Sequence, residues 1–343
     1  MRIDTPFFKA DVRPTFDSDA IDRLRYFATV LILCSCALFI MAKQYVGESV
    51  QCWAPRQFKK GWEVYAETYC LIENTYHVGM NATNLPTPEQ RNNQKFRYYQ
   101  WVPFILFFLA MALYIPRLVW RILQSLSGTN ISIVTANLRK NAISGLDQKK
   151  EDDKFSVSKL TICMLSTKVL AVLVLIGSMV FLDFFMGLGP MYGWTVTKQV
   201  LQGKQWQESG TFPRVTFCDF EVRELGYVNN WSLQCVLMVN MFNEKLFIAL
   251  WWWYLVLLCL SIFDLFAFLF RFTVHHQVKF ISRILACHTD EPISTTAVGE
   301  FNRRVLKIDG INLMHLIYSN ATIFEAAEFL SPTWENFAKD KKW

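Results

Sequence analysis

Four stretches of the chain shed their charges for roughly the thickness of a bilayer. Between Arg25 and Lys43 the run YFATVLILCSCALFIMA is uncharged, and so is YYQWVPFILFFLAMALYIP between Arg97 and Arg117. Between Lys245 and Arg271, LFIALWWWYLVLLCLSIFDLFAFLF is broken only by Asp264. A helix crossing the hydrocarbon core needs ~20 predominantly apolar residues, and an ordinary buried helix is not apolar all round for so long. The remaining stretch, VLAVLVLIGSMVFLDFFMGLGPMYGW, starts after Lys168 and meets Asp183 before it reaches full length, which makes it the weakest of the four. The pattern predicts membrane helices at 24–44, 99–122, 166–188 and 246–270. An amino-terminal segment 1–23, loops 45–98, 123–165 and 189–245, and a tail 271–343 complete the chain.

Composition agrees with an α-helical polytopic membrane protein. Of 343 residues, 52% are hydrophobic and 15% aromatic, and only 19% are charged, against about 25% in soluble domains. Disordered chains, collagen-like chains and small disulfide scaffolds are excluded. The positive charges set an orientation. Counted out to the charges that flank each apolar run, the amino end to Arg25, the stretch Arg117–Lys168 and the tail from Arg271 carry 23 Lys and Arg, and the stretches Lys43–Arg97 and Lys198–Lys245 carry 12. The positive-inside rule places both termini and the central loop in the cytoplasm. The mixed acidic and basic amino end has no cleavable signal peptide, so the first span is expected to remain. Cytoplasmic Lys and Arg facing anionic lipid account for the net charge of +6, and no nucleic-acid partner is expected.

Nine cysteines divide by location. Cys34, Cys36, Cys163 and Cys259 lie in or beside spans and Cys287 in the tail, where they read as small apolar side chains. Cys52 and Cys70 fall in the first outer loop, Cys218 and Cys235 in the second. Pairs in these two loops fit an oxidising exterior, and four cysteines allow three connectivities. Of the N-x-[ST] triplets, Asn81 and Asn230 are outside and are candidate glycosylation sites, whereas Asn130 and Asn320 are inside. Both outer loops are too long and too rich in Trp, Tyr and Phe to be plain connectors.

At Tyr98-Tyr99-Gln100-Trp101-Val102, followed by Pro103, the chain resembles the innexin family of invertebrate gap-junction proteins, whose signature is YYQWV at the start of the second span. KQYVG at 43–47, QCWAP at 51–55 and Tyr69-Cys70 are similar to the family's first outer loop, and FPRVTFCDF at 212–220 to its second. NEKLF at 243–247 is also innexin-like, and the resemblance covers roughly residues 20–330. It implies a four-transmembrane-helix subunit of a ring-shaped large-pore channel. A small disulfide-linked extracellular domain and a helical cytoplasmic domain would accompany the spans. It further implies a homo- or hetero-oligomeric ring with other innexin subunits, an octamer, docking onto a hemichannel of the adjacent cell at a plasma-membrane gap junction. Carrying over the family's pairing joins Cys52 to Cys235 and Cys70 to Cys218. One departure is that the central loop reaches the third span sooner than in the family.

In such rings the amino-terminal segment folds into the pore mouth as a funnel. The resemblance then places Arg2, Asp4, Lys9 and Asp11 where repeated charges set the field felt by permeating ions. In the first span Ala28, Ser35 and Ala42 recur every seven residues and make one narrow small-residue face. That face either lines the pore or a neighbouring subunit, or serves close helix packing within one subunit. Pro103 and Pro116 bend the second span or mark its ends. Asp183 and Asp264 are the deepest ionisable groups; they either face the ion path or serve structure, Asp264 pairing with Arg271 seven residues on and Asp183 marking the outer end of the third span. Trp251-Trp252-Trp253 and Tyr98-Tyr99 read as interfacial aromatic belts.

Enzyme readings fail on spacing. His275-His276 and Cys287-His288 complete no HxxxH, HExxH or CxxC metal site, and no phosphate-binding Gly-rich loop or GxSxG is present. No catalytic, cofactor or metal residue is expected. Helical spacing of Ile, Leu and Phe over 301–330 predicts tail helices that pack on the ring. The alternative to a passive channel for ions and small molecules is an adhesion or scaffold protein of the junctional membrane using the same outer loops.

Overall fold

Each apolar stretch forms a helix longer than the stretch itself. The computed structural model describes residues 18–78, 85–93, 95–96, 98–126, 159–187, 189, 191–203, 212–287, 294–320 and 323–341. Arg2, Asp4, Lys9, Asp11, Asn81, Asn130 and most of the central loop lie outside the described residues. In chain order the elements are helix α1 (Ala20–Tyr45), strand β1 (Val50–Cys52), α2 (Lys60–Glu73), β2 (Thr75–Tyr76), α3 (Pro88–Asn93) and β3 (Lys95–Phe96). Then come α4 (Val102–Leu126), α5 (Lys159–Met186), α6 (Tyr192–Leu201), β4 (Val215–Glu224), β5 (Tyr227–Leu237) and α7 (Met238–Phe270). The tail holds α8 (Val274–Leu285), α9 (Thr295–Phe301), α10 (Lys307–Asn320) and α11 (Ile323–Lys341).

Helices α1, α4, α5 and α7 are long and apolar enough to cross a membrane. The third of them corrects an expectation. Far from the weakest, α5 holds the most apolar window of the four, because the Val, Leu, Ile and Phe residues after Lys168 outweigh the single Asp183 and the helix runs unbroken to Met186. Asp183, the charge taken to cut the span short, lies inside the helix and accepts from the Met191 backbone N–H beyond its end. Pro103 sits in the first turn of α4, where a missing N–H costs nothing, and Pro116 lies within the helix. At the far end of α5, Gly187 at φ +64° supplies the left-handed residue that commonly closes a helix.

The chain divides into two compact units, and each long helix contributes to both. One comprises Val30–Ala112 and Leu175–Leu257, the other Met1–Thr29, Leu113–Val174 and Leu258–Trp343.

The first unit is organised by a five-stranded sheet in the order β1-β5-β4-β2-β3. The long β4–β5 hairpin turns on Leu225 (φ +50°) and Gly226 (φ +86°), between the paired Glu224 and Tyr227. A two-residue loop with both φ positive matches the right-handed strand twist. Alternation buries Cys218 and Phe220 of β4 and Leu233, Cys235 and Leu237 of β5 on one face, against Ala66 and Cys70 of α2 and against Phe58. Elsewhere in this unit α6 lies on α7. Trp251 and Tyr99 are almost fully buried, so these two aromatics fill the protein interior and do not serve an interfacial belt. A Cβ at Gly193 would overlap the Trp251 ring. Gly193→Ala therefore displaces that ring, and overpacking of this kind costs about 1–3 kcal/mol. A lowered thermal midpoint of the detergent-purified protein is the expected outcome.

In the second unit the tail helices enclose their own core. Ile281, Ile284 and Leu285 of α8 meet Val298 and Phe301 of α9, Met314 and Ile317 of α10, and Ala326, Ala327 and Leu330 of α11. His315 is buried with its ring stacked on Phe280, centroids 3.7 Å apart. Burial first, then the nearby Arg271 and His276 charges, push its pKa down to about 3. Because an unfolded histidine protonates near pH 6.5, the unfolded chain binds the extra proton between about pH 6.5 and 3. Stability therefore falls as pH drops through that window, by at most about 1.4 kcal/mol per pH unit. Hydrogen-exchange protection of α8 and α10 should weaken between pH 7 and 5, and less so in His315→Gln.

Candidate functional site: a braced sheet and a buried charge junction

Two constellations carry the chemistry, one in each unit. In the sheet unit, Cys52 and Cys235 are direct register partners on β1 and β5, and a disulfide joins them. A second disulfide joins Cys70 of α2 to Cys218 of β4. The sulfurs of Cys52, Cys70 and Cys235 lie within 4.8 Å of one another, a grouping that the covalent bonds explain without a metal. Each bond closes a loop of well over a hundred residues, and crosslinks of that span are the most effective at restricting the unfolded chain.

The YYQWV segment fastens this braced unit to the second long helix. Tyr99 Oη donates to the Leu71 carbonyl at 3.2 Å, and Gln100 Nε2 donates to Leu71 O and, at 3.1 Å, to Ile72 O. These are last-turn carbonyls of α2, which have no partner within their own helix. The signature is thus a carboxy-terminal cap supplied by a distant segment. Val102 is fully buried, Trp101 is exposed, and the Tyr98 ring stands edge-on to Phe212. On the central strand β4, Asp219 accepts from Tyr76 Oη at 2.9 Å, Arg91 Nη1 at 3.0 Å and Ser232 Oγ at 2.6 Å. Burial and then that carboxylate push the Tyr76 phenol up. Asn230 is exposed on β5. Asp183, at the end of α5, accepts from the Met191 backbone N–H at 3.0 Å and so serves a turn.

The second constellation surrounds Lys168. Its ammonium lies 2.5 Å from Asp264 of α7, 2.8 Å from Asp19 just before α1, and 3.7 Å from Asp22 of α1. Arg25 binds Asp22 at 2.6 Å, and Arg271 lies 3.9 Å from Asp19. The expected Asp264–Arg271 pair is absent: Asp264 is taken by Lys168, and Arg271 approaches Asp19 of the same cluster. Carboxylate oxygens of Asp19, Asp22 and Asp264 lie within 4.8 Å of one another, as ligands of a cation would. The cation they hold is Lys168. Three carboxylates balance Lys168, Arg25 and Arg271, and Arg117 stacks 5.0 Å above the Tyr26 ring beside them. A cavity of about 30 Å³ adjoins the group.

The tail grips the same helix one step further along. Asp309 of α10 accepts from the backbone N–H of Thr161 at 3.1 Å and of Leu160 at 3.4 Å, and also from the Thr161 hydroxyl. These are orphan first-turn donors of α5, so a tail carboxylate caps the helix and complements its dipole. Sequence reading missed Lys168 and Asp309. An ionisable group amid apolar residues needs a partner, and that rule could have found Lys168. Nothing along the chain points to Asp309.

Of the small residues in the first long helix, Ala28 is half-buried while Ser35 and Ala42 are exposed. The helix buries Leu33, Ala37, Ile40 and Gln44 on the opposite side.

Four bilayer-length helices, a disulfide-braced sheet domain and a helical tail define a polytopic membrane protein with ordered domains outside the lipid. The profile described as Innexin matches residues 18–337. Innexin-17 of Caenorhabditis elegans is 65% identical over 361 aligned residues, which cover 99% of this chain and all of that protein. Innexin-16 of the same animal is 40% identical, covering 92% of this chain and 88% of its own, and Innexin-3 is 31% identical over 90% and 80%. The chain belongs to the innexin family and is a subunit of a gap-junction channel of the plasma membrane.

Lys168→Met removes the cation that lies against all three carboxylates, two of them buried, and breaking a buried ionic group in this way costs about 3–5 kcal/mol. Thermal unfolding of purified particles should show a large loss for Lys168→Met and a small one for Lys168→Arg.

Proposed function

We propose that this subunit assembles with copies of itself or with other innexin subunits into a ring, an octamer as in the family, around a wide pore. Both termini and the 123–165 loop lie in the cytoplasm, and the sheet unit projects into the intercellular gap as the docking face. The channel passes ions and small molecules passively. The amino-terminal segment, with Arg2, Asp4, Lys9 and Asp11, forms the funnel at the pore mouth. The face bearing Ala28, Ser35 and Ala42 is turned towards the pore or a neighbouring subunit.

The observation that carries this reading is the two-sidedness of the first long helix. One stripe is buried within its own chain, while Leu31, Ile32, Ser35, Leu38, Phe39 and Ala42 remain exposed. Small residues on an uncovered helix face are what close approach by a second subunit or a wide pore requires. The charge asymmetry and the cysteine pairs of the sheet unit support the orientation independently. Asn81 and Asn230 are then the accessible glycosylation sites.

Paired cells expressing the chain should show junctional conductance and transfer of a small dye, whereas a scaffold or adhesion protein gives neither. Removing residues 2–18 should change unitary conductance or ion selectivity in rings that still assemble and reach the surface. Unchanged permeation in such rings would count against the funnel.

A further inference from the structure

The start of the first long helix is wound irregularly, and the irregularity sits directly on the Lys168 junction. Residues Leu24–Thr29 form a π turn, which holds one residue more than the α-helix has room for and gives up regular hydrogen bonding. The Thr29 hydroxyl donates to the Leu24 carbonyl five residues back at 2.9 Å. Upstream of the turn, Asp19 and Asp22 point at Lys168, and Asp22 also holds Arg25. Ser18 is buried, its hydroxyl 3.4 Å from Tyr26 Oη. If the π turn relaxed to α, everything before it would rotate by about 100° about the helix axis, one residue's share of a turn. Asp19 and Asp22 would then leave Lys168. The two windings are discrete alternatives, and the charges favour one of them.

We propose that Lys168 is a positioning residue for permeation: through Asp19 and Asp22 it holds the first helix in its π winding and so fixes the orientation of the helix start, Ser18–Arg23. The proposal rests on the funnel reading for its effect on conductance, but not for its effect on the helix. Lys168 itself is buried and braced on its other side by Asp264, so it is a fixed post and not a mobile surface charge.

The test uses full-length channels carrying Ser18→Cys, with the parent channel as baseline for the native thiols, of which Cys259 and Cys287 are exposed. Ser18→Cys alone should resist a membrane-impermeant thiol reagent applied from the cytoplasmic side. Adding Asp19→Asn should raise the modification rate about tenfold and change unitary conductance, as expected for a shift between two populated states. Asp19→Glu, which restores the charge, should return both values towards the starting ones, whereas a general loosening of the fold would not be rescued by charge. If Asp19→Asn fails to assemble, Asp22→Asn provides the same reading, with a smaller rise expected.

Unchanged rate and conductance would overturn the proposal, as would equal behaviour of the Asn and Glu variants. A faster rate with unchanged conductance would overturn the link to permeation while leaving the winding claim intact. Removal of residues 2–18 then shows separately whether the funnel reading falls with it.

Discussion

A lysine cannot remain charged in the interior of an apolar helix unless its neighbours make it neutral as a group. Lys168 meets that condition by drawing carboxylates from the start of the first long helix and from the fourth. The ammonium alone would cost several kcal/mol to bury, and so would each carboxylate, so none of these positions is stable without the others. The grouping gains geometry more than stability, because it ties three chain segments far apart in sequence to a single point. The tail joins the same frame through Asp309, which caps the amino end of the helix that carries Lys168.

The sheet unit meets a different constraint by different means. A small domain with few strands has limited apolar area to bury, and two crosslinks between elements distant in sequence reduce what its core must supply. Cys52 and Cys235 are already opposite one another in the register, so that bond reinforces an existing strand pair. Cys70 and Cys218 join helix to sheet across the core. The last turn of the same helix is then closed by Tyr99 and Gln100, which stand at the threshold of a membrane helix. The domain and the membrane helix are thereby joined by hydrogen bonds to backbone carbonyls, whose directionality restricts both distance and angle.

Much of this architecture was legible along the chain because the bilayer imposes a simple rule on composition. Four long apolar runs were visible as such. The outer-loop cysteines stood out by where they fell, and the tail helices by their spacing. Misreadings arose wherever a residue's environment differed from its chemical type. Asp183 looked like an early end to the third span because a charge usually is one, and Trp251 looked interfacial because tryptophans there usually are. Asp264 was matched with Arg271 along an ideal helix, but Lys168 of another helix takes that carboxylate and Arg271 turns to Asp19.

Sequence alone determined the class of protein, since burying a helix in lipid demands a length and an apolarity that nothing else in the chain imitates. It also determined the family, since YYQWV and the loop motifs are local strings. Only the tertiary structure decided which charges meet, why the signature residues are needed and where the first helix departs from α winding. The charge junction joins residues 96 and 149 positions apart and the signature caps a helix 28 positions away, and no local pattern encodes such proximity.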